Sequence, residues 1–224
     1  MRTGLFSSNR HSQWTRSSTV LSLIFIFFNH SIHATEQTID CNEGYTKLSK
    51  QHADTVARYK ANSAEYFNSL HEIENSIFET LQYCPKDTLL FTLMGETQIS
   101  LGNLQLAAIY AEQAYRRNPN IWQTHHILGT TLSMQKEFEK GLQHLEQAAA
   151  IAKERPILVF NLCSTYHAAK DYNNAIAACS KIIKRRDHQL HGAAYHIRGL
   201  SYEALEMNQK AKRDFTKAHL LGYN

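Results

Sequence analysis

The apolar positions of this chain fall at helical spacing, in two different styles. Between Glu43 and Gln82, Leu70, Ile73, Ile77 and Leu81 recur at intervals of three and four, and Tyr45, Leu48, Val56 and Tyr59 form a weaker stripe before them. This stretch predicts two helices. From Thr88 onward, small residues join the large ones, and both recur at a fixed longer interval. Gly95, Gly129, Cys163 and Gly199 form one column, at spacings of 34, 34 and 36 residues. Ala107, Gly141, Ala175 and Ala211 form a second, and Ala114, Ala148, Ile182 and Ala218 a third. Bulkier columns hold Phe91, His125, Val159 and Tyr195; Gln98, Leu132, Tyr166 and Tyr202; and Leu104, Phe138, Tyr172 and Asn208. Two helices approach to 8–10 Å only where the residues at their crossing are small. Gly95 with Ala107, and Cys163 with Ala175, are expected to supply such crossings. One hairpin cannot bury its apolar face alone; a stack of hairpins can, and the stack is a solenoid.

These columns resemble the tetratricopeptide repeat, a helix–turn–helix unit of 34 residues. The resemblance runs from about Thr88 to Tyr223. Gly141 stands where Ala is usual, Cys163 where Gly is usual, and Lys153 and Asp187 where Pro is usual. It implies an all-α, right-handed α-solenoid with repeats at 88–121, 122–155, 156–189 and 190–224. The segment 35–87 is expected to be a helical hairpin that caps the solenoid, or a degenerate fifth repeat. Such solenoids bind partners on the concave face, lined by the first helix of each hairpin. By register the lining is Thr92, Glu96 and Ile99; Gln123, His126, Ile127, Thr130 and Met134; Ile157, Phe160, Asn161, Ser164 and His167; and His196, Leu200 and Glu203. Asn161 matches a position used by relatives that clamp a terminal carboxylate. The cationic positions of that clamp are Thr92, Ala193 and Ile197 here, so that clamp is not expected. A nearly uncharged lining suits an amphipathic helix or an extended apolar peptide. Phe160, one residue past the inward Val159, is expected to point into the concavity as an anchor.

Composition changes the picture at the N-terminus. Residues 1–34 hold Arg2, Arg10 and Arg16 and no acid, then an apolar run from Val20 to Phe28, then Ala34. That order predicts a signal peptide cleaved after Ala34. The run is too short to span a bilayer, which needs about 20 residues, and an uncleaved anchor is the alternative. Removing those three arginines from 24 basic residues leaves 21 against 20 acidic ones. The remaining chain has no net basicity to recommend nucleic acid. The expectation is an exported, periplasmic protein that meets the membrane only through its leader.

Four cysteines in an exported chain invite disulfides. Cys41 precedes the first predicted helix and Cys84 follows the second, so an antiparallel hairpin brings them together. Cys163 and Cys179 are expected to stay reduced, because one helical turn added to the interhelical distance exceeds the reach of a bridge, with a second bridge between them as the alternative. No phosphate loop, GxSxG, HExxH or CxxC is present. His188, His191 and His196 straddle a predicted turn without a further ligand at metal spacing, so no metal or cofactor is expected. The reading is a non-enzymatic adaptor that takes a protein or peptide partner. The alternatives are a histidine-based metal carrier or enzyme, and a homo-oligomer pairing through the C-terminal edge.

Overall fold

The computed structural model describes residues 40–59, 63–153, 155–185 and 189–223. The proposed signal segment lies outside them. Among the described residues there are ten helices and no strand. They are α1 (Cys41–Arg58), α2 (Ala64–Tyr83), α3 (Thr88–Ser100), α4 (Leu104–Arg117), α5 (Trp122–Met134), α6 (Phe138–Ile151), α7 (Pro156–Ala168), α8 (Tyr172–Ile183), α9 (His191–Ala204) and α10 (Asn208–Leu220). Local chemistry sets several of the starts. The Asp40, Ser63, Asp87 and Asp171 side chains each accept from a backbone N–H of the first turn, and Pro156 occupies the start of α7, where its missing N–H costs nothing.

The stops share one device. Gly102, Lys136, Lys170 and Glu206 all adopt positive φ, between 58° and 81°, at the turn inside each of the last four hairpins. At each, the next N–H reaches back to a carbonyl of the ending helix: Asn103 to Gln98, Glu137 to Leu132, Asp171 to Tyr166 and Met207 to Tyr202, at 2.8–2.9 Å. This is the left-handed cap that satisfies carbonyls orphaned by the helix end. Its spacing is that of the small-residue columns, so local turn and tertiary crossing repeat in phase.

Consecutive helices pack antiparallel, and the small columns meet where the helices cross. A Cβ on Gly129 would stand 2.8 Å from the Gly141 carbonyl oxygen, and one on Gly199 would stand 2.7 Å from the Phe215 ring. The odd-numbered helices also touch one another in succession, α1 to α3 to α5 to α7 to α9, whereas the even-numbered ones from α2 to α10 do not. The odd helices therefore line the inner, concave side, and the even ones splay outward. The first hairpin joins this series through α1, so it stacks as a further repeat does.

Both cysteine pairs are bridged. Cys41–Cys84 joins the start of α1 to the residue after α2, with Cα atoms 5.9 Å apart. The second bridge, Cys163–Cys179, corrects the expectation of reduced thiols; its Cα separation is 5.1 Å. The expectation added a helical turn to the distance between axes. Each Cα stands about 2.3 Å off its axis toward the partner helix, so facing Cα atoms lie far closer than the axes do. With Cys163, Ala175, Ala178 and Cys179 all buried, nothing bulky keeps α7 and α8 apart.

Candidate functional site

A row of polar contacts ties the inner helices edge to edge. The Ser100 hydroxyl of α3 lies 3.3 Å from His52 Nε2 of α1. The Asn161 amide of α7 donates to His126 Nε2 of α5 at 2.8 Å and to Thr130 Oγ1 at 3.2 Å. His167 Nδ1 of α7 lies 3.0 Å from Ser201 Oγ of α9. The Ser201 hydroxyl donates to the Ile197 carbonyl, so His167 is the donor of that pair. The α5–α7 and α7–α9 partners sit 31 to 35 residues apart, as stacking of equivalent positions requires, and the α1–α3 pair sits 48 apart because the first hairpin is longer.

Glu96 of α3 lies between the α1–α3 and α5–α7 contacts of this row, beside His126. Its Oε1 is 3.8 Å from His126 Nδ1. The amide of Asn161 occupies Nε2, which leaves the imidazole proton on Nδ1, facing Glu96. Burial pushes the Glu96 carboxyl up to about 7 and the His126 imidazole down to about 4. Glu96 nonetheless keeps 38% of its side-chain surface accessible, against 14% for His126. A carboxylate crowded by its neighbours, with more than a third of its side chain still accessible, stays within reach of a binding group. Tyr45 of α1 senses it: the Tyr45 phenol is raised first by burial, then by the charges of Glu96 and Asp87.

The residues read as groove lining divide into three groups. Met134 and Ile157 are open apolar surface, at 45% and 41% exposure. Thr130, Met134, Asn161 and Ser164 line a pocket of about 280 Å³ together with Ser133, Phe138, Thr165 and Ala168. Gln123 and Leu200 are half-buried and Glu203 is exposed. His196 stacks near Phe215 and Tyr223, with ring centroids at 5.7 and 5.2 Å. Thr92 and Ile127 are corrections: at 2% and 1% exposure they present no binding surface. Ile127 fills the space above Gly95, where an added Cβ would come within 2.8 Å of it. The Thr92 hydroxyl turns back onto the Leu89 carbonyl. Phe160 is half-buried and packs against the core cluster of α6 to α9.

Sequence reasoning missed two contacts near this face. Trp122 of α5 stands 6.0 Å from the His126 ring, and the Arg155 guanidinium lies over the Trp122 ring, 4.8 Å from its centroid. An aromatic and a cation 33 positions apart can be paired only once the repeat register is known. The second is the pairing of the bulky-column His125 with His144, Nδ1 to Nδ1 at 3.0 Å. Among the described residues no group of three or more His, Cys, Asp and Glu side chains stands together to hold a metal. His188 lies outside those residues.

A tetratricopeptide repeat family model matches residues 90–121. The described residues have the fold of the tetratricopeptide repeat solenoids. MamA (residues 41 to the end) from Desulfovibrio magneticus RS-1 superposes with a TM-score of 0.60 at 18% identity, covering 80% of this chain and 96% of that one. Cut9, in the Cut9–Hcn1 hetero-tetramer of the APC/C, gives 0.61 at 16% identity over 81% of this chain and 38% of that one. YrrB, described as a TPR protein with an unusual peptide-binding site, gives 0.56 at 15% identity over 82% and 93%. No curated protein matches the chain in sequence.

Proposed function

We propose that this protein is an exported, non-enzymatic adaptor of the cell envelope, which binds a partner helix or extended peptide along its inner helix face. The carrying observation is the continuity of that face. Among five inner helices in succession, α5 and α7 present open apolar residues, Met134 and Ile157, beside a row of half-buried polar groups. Alternating apolar contact and polar positioning is how such grooves hold a peptide. The peptide-binding site named for YrrB supports the reading by likeness of fold. Export is supported by the leader pattern and by two disulfides, which persist in oxidising compartments. Among the described residues no helix is long and apolar enough to cross a membrane.

The test is capture from an envelope extract with quantitative mass spectrometry, using wild type, Ile157→Asp and Leu106→Asp. Leu106 is as open as Ile157 but lies on the outward α4. A partner lost with Ile157→Asp and kept with Leu106→Asp supports the groove; equal recovery with all three removes it. Pairing of two copies through the C-terminal edge is a second reading. Leu220 and Leu221 favour it, at 71% and 48% exposure, and sedimentation of Leu220→Glu against wild type decides it.

A further inference from the structure

The inner face carries a carboxylate with no basic side chain beside it. Among the described residues no lysine or arginine forms an ion pair with Glu96; its charged-type neighbour is His126, at 3.8 Å. His126 does not act as a counter-cation. Its Nε2 accepts from Asn161, its surroundings are nearly closed, and burial holds it as neutral imidazole. Tyr45 from α1 and Asp87 at the start of α3 bear on the same region and bring no positive charge. Glu96 is therefore crowded without a cationic partner among the described residues, and more than a third of its side-chain surface stays accessible. A carboxylate in this position has unused acceptor capacity and a free energy to recover by pairing with a cation.

We propose that Glu96 receives a lysine or arginine side chain of the partner peptide, whose apolar residues rest farther along the same face on Met134 and Ile157. The proposal builds on the groove reading of the previous subsection. It also replaces the picture of a purely neutral lining with an amphipathic partner bearing one required positive charge. Charge complementarity selects this occupant: an acidic or uncharged peptide would leave the carboxylate buried and unpaired. The pairing is linked to protons. Glu96 is partly protonated near neutrality, and a bound cation favours its ionised form. Binding thus releases a proton, and affinity rises with pH through about 7 and levels off above it. His126 stays neutral across that window.

The probe is a random peptide library displayed on phage and panned against the full chain at pH 8. The selected peptide is then resynthesised with a fluorophore, as itself and with its basic residue replaced by norleucine. Anisotropy titrations use wild type, Glu96→Gln and Ile157→Asp. Expected are peptides with a basic residue at one fixed position. Glu96→Gln and norleucine should each weaken binding by roughly thirtyfold, and the two together by no more than either alone. Wild-type affinity should fall about tenfold or more between pH 8 and 5.5, while Glu96→Gln stays flat. Selected peptides without a basic position, or full binding by Glu96→Gln while Ile157→Asp still abolishes it, would overturn the proposal and leave the groove standing. Binding that survives Ile157→Asp, or no selected peptide at all, would overturn both. Dimerisation of the protein abolished by Glu96→Gln would show that the cation comes from a second copy, and would overturn a separate partner.

Discussion

The first and last hairpins are fastened by different physics. In the first, the Cys41–Cys84 bond ties the open ends of α1 and α2 across a sequence separation of 43 residues. In the last, Arg198 of α9 grips Asp214 of α10 with two hydrogen bonds, at 2.6 and 2.9 Å, and reaches Ser180 of α8 at 2.9 Å. The covalent tie acts mainly on the unfolded chain, by reducing its freedom, and is indifferent to salt and pH. The ion pair acts on the folded state, and its worth depends on being out of water: Arg198 and Asp214 are 17% and 8% exposed. In a solenoid each repeat leans only on its neighbours, so a fastening inside one hairpin acts chiefly on that hairpin and the ones beside it. The chain shows two solutions in one molecule.

The largest expected effect breaks the first fastening. The double variant Cys41→Ser/Cys84→Ser should lose about 4 kcal/mol on the chain-entropy account, seen as a lower denaturant midpoint. The loss should be independent of salt. Hydrogen exchange should rise in α1 and α2 and not in α9 and α10. An unchanged midpoint would mean that stacking on α3 alone holds the first hairpin.

Asp214→Ala breaks the second fastening. It leaves the Arg198 guanidinium half-enclosed and unpaired, at a cost of about 3 kcal/mol. Exchange should rise in α9 and α10, and in α8 through the lost support of Ser180, while α1 and α2 stay protected. Uniform loosening of the whole chain would contradict the independence of the two ends.

A smaller effect lies between α1 and α3, where Glu96 faces the Tyr45 side of the first hairpin. Its carboxyl is raised in the folded state to about 7 from an ordinary 4.5. A raised acid binds its proton more tightly when folded. Its contribution is therefore present below about 4.5 and is lost as pH rises through 7. Glu96→Gln should accordingly match wild type near pH 4.5 and exceed it at pH 8, by about 1 kcal/mol once solvent screening of the accessible side chain is discounted. His126 works in the opposite sense: lowered to about 4, it withdraws stability as pH falls below its ordinary 6.5. Melting curves of both proteins at pH 4.5 and 8 check the sign; a variant less stable than wild type at pH 8 would mean that Glu96 already has a cationic partner.

The solenoid was legible because its cause is local and periodic. Gly95, Gly129, Cys163 and Gly199 mark helix crossings whatever the other residues are, and six columns in phase over four repeats leave one architecture. The disulfide between Cys163 and Cys179 was misjudged on a distance, not on the register. The site was legible only in part. Met134 and Ile157 could be placed by helix face, but Thr92 and Ile127 could not, because contact between successive inner helices buries residues that a single helix would show to solvent. Arg198 and Asp214 were invisible as a pair, since nothing in sequence says which of many charges on two helices turn inward.

The smallest effect sharpens the comparison inside the last hairpin itself. Glu206 holds φ at 58°, in the left-handed region, as Lys136 and Lys170 do at the equivalent turns and as Gly102 does in the first matched repeat. A residue with a Cβ is strained there by about 1 kcal/mol, and the strain is borne because the turn's N–H groups, Met207 to Tyr202 and Glu206 to Glu203, close the end of α9. Glu206→Gly removes the strain and keeps the bonds. Against this, glycine frees the unfolded chain, which offsets part of the gain. The net should be a stabilisation of about 0.5 kcal/mol, and Glu206→Val, with a branched Cβ, should lose more than 1 kcal/mol. If the last hairpin is fastened independently, both changes should appear in the exchange of α9 and α10 and leave α1 and α2 untouched. In an Asp214→Ala background the glycine should restore part of the lost protection, because turn and ion pair close the same two helices from different places. A glycine variant less stable than wild type would show that the side chain at 206 contributes something the turn geometry does not express.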